Sequence, residues 1–223
     1  MAWGHQMKKF LSLSLVSFFF ATSFVMAADK PGGVTRTATN MPTGTHEFLL
    51  SPAVLFGVSA PAFLTTEMRF QPSEDIGWGA GFGAGESGFN FGANAVWHIA
   101  PDISGQPGIA LQAGMYFNRL VNFQQNSNAP LSYFVLKATP IVSKMYKTSW
   151  GAVTPYTALQ VAPSFRLGET PDNDFSLKSS SGLEIVLNSA KKMRFWTEFG
   201  LGLMSSYHEI VLGITYPIEA LDG

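Results

Sequence analysis

Ser205, Ser206, His208 and Glu209 place hydroxyl, imidazole and carboxylate groups in one short stretch. These are the side-chain types a serine-type hydrolase uses as nucleophile, base and orienting acid. Closeness along the chain counts against that use, because successive residues of an extended strand point to opposite faces and do not converge. A non-enzymatic protein is therefore expected. A lipid-modifying hydrolase is the rival, and turnover lost in His208→Ala would reveal it. His46, His98 and His208 do not have the spacing of a metal motif. No metal site, cofactor or catalytic residue is assigned.

A second set of residues carries charge. Glu47, Glu67, Arg69, Lys137, Lys178, Glu184, Arg194 and Glu198 all fall on the polar side of segments whose alternate residues are apolar. If those sides face a narrow interior, an unpaired charge would be costly, so the eight are expected to form a salt-bridge network. Glu198→Ala should then strand a cation. The functional version of the same set is a narrow porin passing small solutes. A third set, Asn122, Gln124, Gln125, Asn126 and Asn128, lies in the polar stretch 119–131 and has the makings of a binding loop, although solvent alone also selects polar loops.

These groups need a scaffold, and composition narrows the choice. The 223 residues are 46% hydrophobic and only 13% charged, well below the roughly 25% charged content of soluble domains. A net charge of -1 gives no electrostatic footprint for nucleic acid. With no cysteine, disulfides, thiolate metal sites and a lipid-modified N-terminal cysteine are excluded by count.

Met7, Lys8 and Lys9 precede an apolar run from Phe10 to Val25, and Val25-Met26-Ala27 ends it with a small-residue cleavage pattern. Residues 1–27 therefore read as a signal peptide, the apolar run being short of the 20 or so residues of a spanning helix. Residues 28–45, rich in Thr, Gly and Pro, read as a flexible periplasmic lead-in. From His46 onward, segments of about ten residues alternate between apolar and polar, the signature of a transmembrane β-barrel. In the first segment Phe48, Leu50, Pro52, Val54 and Phe56 would face lipid, with a bend at Pro52, which cannot donate to the ladder. Residues 76–83 alternate Ile76, Trp78, Ala80 and Phe82 with four glycines, leaving one face as bare backbone. The fold class expected is all-β: an antiparallel up-and-down transmembrane barrel of 8–10 strands over 46–217, ten preferred, with a tail at 218–223. A soluble periplasmic sandwich or barrel has the same alternation turned inside out. Trp78, Trp97 and Tyr216, near segment ends as at a headgroup level, favour the membrane.

Thr154-Pro155-Tyr156 with the alternation to Phe165, Gly182-Leu183-Glu184-Ile185-Val186-Leu187, and Trp196-Thr197-Glu198-Phe199-Gly200-Leu201-Gly202-Leu203 resemble the hairpins of small OmpA/OmpX-type outer-membrane barrel domains. The resemblance implies a bacterial outer-membrane location and periplasmic termini. It also implies short turns on the periplasmic side and exposed loops opposite, at 119–131 and 166–176. Its implied partners are outer-membrane lipid and, during biogenesis, the barrel assembly machinery; an extracellular ligand would meet the loops. The role expected is structural in the envelope; surface binding or adhesion is expected separately, from the polar 119–131 loop held on a rigid wall. The sequence departs from the family in following Tyr216 with Pro217 through Gly223, where the family ends its last strand on an aromatic residue.

Overall fold

The computed structural model describes residues 36–38, 41–56, 62–86, 88–120, 131–168, 173–187 and 193–218. The signal peptide expected over 1–27, the loop residues Asn122, Gln124, Gln125, Asn126 and Asn128, and the tail after Ile218 lie outside them.

Among the described residues the strands are β1 (His46–Phe56), β2 (Ala62–Phe70), β3 (Ile76–Gly85), β4 (Gly88–Ala100), β5 (Gly108–Leu120), β6 (Leu131–Ser143), β7 (Tyr146–Thr148), β8 (Gly151–Leu167), β9 (Asn173–Leu187), β10 (Arg194–Met204) and β11 (His208–Ile218). Neighbours in sequence pair antiparallel except β6 and β7, β1 pairs with β11, and β6 pairs with β8. The sheet thus closes on itself and hides its edges, as a membrane wall must. β7 continues β6 beyond a break at Lys144 and Met145 and pairs with the same neighbour, β8. Ten strands form the wall.

Alternation within each strand explains which way the wall faces. In β1, Glu47, Leu49, Ser51, Ala53 and Leu55 are buried while Phe48, Leu50, Val54 and Phe56 are exposed. In β2, Thr65, Glu67 and Arg69 are buried while Leu64, Met68 and Phe70 are exposed. Bulky apolar side chains continue around the exterior, including Phe82, Phe91, Met115, Leu159, Leu212 and Ile214. Single exposed leucines mean little, but buried charges inside a continuous apolar exterior are informative. This arrangement reverses a soluble core and matches a lipid-facing barrel. Trp78, Trp97, Tyr146, Trp150 and Tyr216 gather toward the rim where β1 begins and β11 ends, here called the terminus-side rim. Amphipathic rings belong at such an interface.

Pro52 does not bend β1 out of register. The β1–β2 ladder runs through Pro52↔Leu64 without a break. On the other side the β1–β11 ladder stops at Leu50↔Ile214 and resumes at Ala53↔Val211 in the same register. The missing donor costs rungs on one side only. The surface loop expected at 166–176 is also shorter than its sequence suggested. β8 runs to Leu167 and β9 begins at Asn173, because Ser164↔Asp174 and Phe165↔Asn173 extend the ladder. On the terminus side, Lys144 Nζ bonds Asp102 Oδ1 at 2.7 Å and the carbonyls of Ile103 and Gln106 at 2.5 and 2.9 Å. That lysine ties the turn after β4 to the break after β6.

Candidate functional site: the charged lumen

Register decides which of the inward charges meet. Glu47↔Arg69 and Arg69↔Gly79 place charged side chains of β1 and β2 beside the glycine face of β3. Glu67 Oε1 lies 3.4 Å from Arg69 Nε and accepts from Asn94 Nδ2 at 3.0 Å. A second arginine reaches the same oxygen: Arg36 NH2, at 3.4 Å, which also donates to the carbonyl of Trp78 at 2.6 Å. Arg69 stacks its guanidinium 5.3 Å from the centre of the Trp196 ring, and the Trp196 indole donates to Thr215 Oγ1 at 2.6 Å. A cation over a desolvated indole gains further attraction.

Arg194 forms a second cluster, 3.3 Å from both Glu47 and Glu184. Glu184 Oε2 accepts from the Thr37 hydroxyl at 2.9 Å. Glu198 Oε2 accepts from the Tyr156 hydroxyl at 2.7 Å, and the Tyr156 ring meets Trp196 edge-on. Further from the terminus-side rim, Lys178 pairs with Glu209 at 2.5 Å, and Lys137 Nζ stands 5.9 Å from the centre of the Tyr116 ring.

The eight expected lumen charges are therefore distributed over several local pairings. Glu67 joins Arg69, and Arg194 joins Glu47 and Glu184. The carboxylate that binds Lys178 is Glu209, from the candidate hydrolase cluster. His208 of that cluster accepts the Gly202 backbone N–H at Nδ1, 3.2 Å away. Glu198 has the Tyr156 phenol hydroxyl among its partners, so Glu198→Ala would remove the acceptor of that buried hydroxyl.

Arg36 and Thr37 were missed. The segment read as a flexible lead-in instead carries Arg36, Thr37, Ala38 and Met41 into the terminus-side mouth, all buried. Ala38 N donates to Ser143 Oγ at 3.0 Å, and His98 Nδ1 lies 3.2 Å from the Ala38 carbonyl. Burial pushes the Arg36 guanidinium down to about 10, helped by the Arg69 charge and opposed by Glu67, so it stays charged at neutral pH. No sequence period marks this segment, since its contacts are all tertiary.

The bare face of β3 now has a reason. A Cβ on Gly77 would stand 2.6 Å from Gln71 Oε1 and 2.8 Å from Arg36 NH1. One on Gly79 would collide with Glu67 Oε1 and stand 2.5 Å from Arg36 NH2. The glycines leave the volume that a guanidinium fills. Gly182 makes equivalent room for the Tyr156 ring, and Gly92 for the Tyr116 ring.

No protein-family model matches the sequence, and no curated protein matches it. Among solved structures, the chain is similar to the translocator domain of the autotransporter NalP from Neisseria meningitidis, with 11% identity over 95% of each chain and a TM-score of 0.41. A de novo designed transmembrane β-barrel is 12% identical over 80% of this chain and 98% of its own, with a TM-score of 0.35. Ail, the attachment invasion locus protein of Yersinia pestis, solved with the heparin analogue sucrose octasulfate, is 9% identical over 78% of this chain and 97% of its own, with a TM-score of 0.31. The barrel assignment rests on this chain's own strand pairing.

Proposed function

We propose that this chain is a non-enzymatic protein of the bacterial outer membrane, a closed barrel that serves the envelope as a rigid scaffold and presents its loops for surface binding. The observation that carries this reading is the lumen. Paired charges and aromatic rings fill it, and the terminus-side mouth is crossed by residues 36–38 inside a wall with an apolar exterior. A stable wall with a packed interior favours a display role, since recognition concentrates on loops held by a scaffold. Residues 121–130, between β5 and β6, are the natural place for it, with Asn122, Gln124, Gln125, Asn126 and Asn128 as the residues to vary.

Cell fractionation followed by gel mobility with and without boiling tests the location. An outer-membrane fraction with heat-modifiable mobility supports it; a soluble periplasmic protein of single mobility overturns it. Planar-bilayer recordings test the scaffold role, which requires no steady conductance.

A narrow conduit is the second reading. It draws on the inward row Ser51↔Thr65↔Gly83↔Asn90↔Asn118↔Tyr133↔Arg166, which carries a polar side chain at every position but Gly83. Asn90 within it is fully buried, with neither side-chain polar atom bonded to protein. Buried amides of this kind are places for ordered water. Steady, solute-selective conductance would favour this reading over the scaffold.

A further inference from the structure

The described residues ahead of β1, Arg36 to Ala38 and Met41 to Thr45, form a strap across the terminus-side mouth, and the strap is anchored to widely separated parts of the wall. Arg36 bonds β2 and β3 through Glu67 and the Trp78 carbonyl. Thr37 bonds Glu184 of β9 on another side. Ala38 is held by both backbone atoms, its N–H by Ser143 of β6 and its carbonyl beside His98 of β4.

Two features distinguish the strap from a part of the wall. The ring of strand pairings closes without it, and its backbone bonds to the sheet end are Gly44 N to Gln71 O and Gln71 N to Thr45 O, both at its root. Each carboxylate it touches also has a cation belonging to the wall, Arg69 for Glu67 and Arg194 for Glu184. Lifting the strap out would strand neither acid. What remains would be a shaped cavity, with Gly77 and Gly79 leaving room for a guanidinium beside a carboxylate.

We propose that the terminus-side mouth is a peptide-binding site for an arginine followed by small residues, which the chain's own Arg36-Thr37-Ala38 occupies in cis and can vacate for the same sequence supplied in trans. The ligand is an extended segment recognised by one charge-assisted contact, one hydroxyl and the backbone of the third residue. Charge-assisted bonds to a planar guanidinium give most of the selectivity.

The test uses the chain from Ala28 onward and a variant lacking residues 28–41, both refolded into detergent micelles. Each is titrated with a fluorescein-labelled peptide of residues 28–45 and with the same peptide carrying Arg36→Glu. The deletion variant should keep heat-modifiable mobility and bind the native peptide. Charge reversal should weaken binding by about ten-fold or more, as loss of a buried charge-assisted contact does. The full chain, its site already filled, should bind at least about ten-fold more weakly than the deletion variant. A folded deletion variant that ignores the native peptide, or binds both peptides alike, overturns the proposal. So does a deletion variant that never regains heat-modifiable mobility, because the strap is then part of the barrel. A disulfide-locked variant, Ala38→Cys with Ser143→Cys, gives an independent check in a chain that has no other cysteine. Oxidation should abolish exchange with the peptide and reduction should restore it; equal binding in both states also overturns the proposal.

Discussion

Lys178 Nζ lies 2.5 Å from Glu209 Oε1, with both side chains about 2% exposed, and the two belong to strands that are not neighbours, β9 and β11. The pair spans the lumen side of β10 above Gly200, where a Cβ would press on the Glu209 side chain. Removing one partner leaves a desolvated charge. Lys178→Met is expected to cost about 3–5 kcal/mol. Lys178→Met with Glu209→Leu should recover most of that loss. Urea unfolding midpoints in lipid vesicles check both, and a double variant no better than the single would overturn the pairing argument.

Arg194 serves two acids at once, and Glu47 takes from it a contact at 3.3 Å. Arg194→Met should therefore destabilise by at least the same about 3–5 kcal/mol. Glu47→Gln added to it should restore part of the loss by removing one of the stranded charges. Refolding yield and unfolding midpoint measured together report whether the cluster is coupled in this way.

Gly77→Ala should cost about 1–3 kcal/mol, as overpacking does, because the new methyl meets both Gln71 and Arg36. In an Arg36→Ala background the cost should fall, and the double-mutant cycle should return a coupling within about 0.5–3 kcal/mol. Purely additive effects would mean that the guanidinium does not occupy the glycine face.

Leu212 stands on the exterior of β11 and is 55% exposed. In a water-soluble protein, Leu212→Arg would shift stability within about 0.5 kcal/mol. On a lipid-facing wall the same change should cost about 2–4 kcal/mol if the site lies near the bilayer midplane. Comparing unfolding midpoints of Leu212→Arg and wild type in vesicles separates the two environments.

The strands were legible because two solvents act on one wall. Lipid outside and a packed polar lumen inside impose the period of two that Phe48, Leu50 and Val54 show against Glu47, Ser51 and Ala53, and the ladder follows from it. The inward direction of Glu67, Arg69, Arg194 and Glu198 was legible for the same reason. Their partners were not, because they depend on strand stagger, which no local pattern records. Glu209 illustrates this: in sequence it belongs to a cluster with His208, and in the barrel it belongs to Lys178. Arg36 was illegible for a related reason. Its segment has no period, and the only trace of its seat was the glycine face of β3, a vacancy visible in sequence without any sign of what fills it.

The interruption beside Pro52 sits at the one place where the two ends of the sheet meet. The join between β1 and β11 is fastened as two short zips, His46↔Ile218 to Leu50↔Ile214 and Ala53↔Val211 to Phe56↔His208, where the join between β1 and β2 is one continuous run. A cylinder with nine continuous joins and one stitched join would have its weakest line fixed by a single imino acid; here the join of β6 to β8 is also discontinuous, pairing Val135↔Ser164, Ala138↔Val161 and Ile141↔Ala158 with gaps between. The wall is thereby divided lengthwise into two staves, β1 to β6 and β8 to β11, one interrupted join being the seam that closes the tube and the other a line within the ribbon itself.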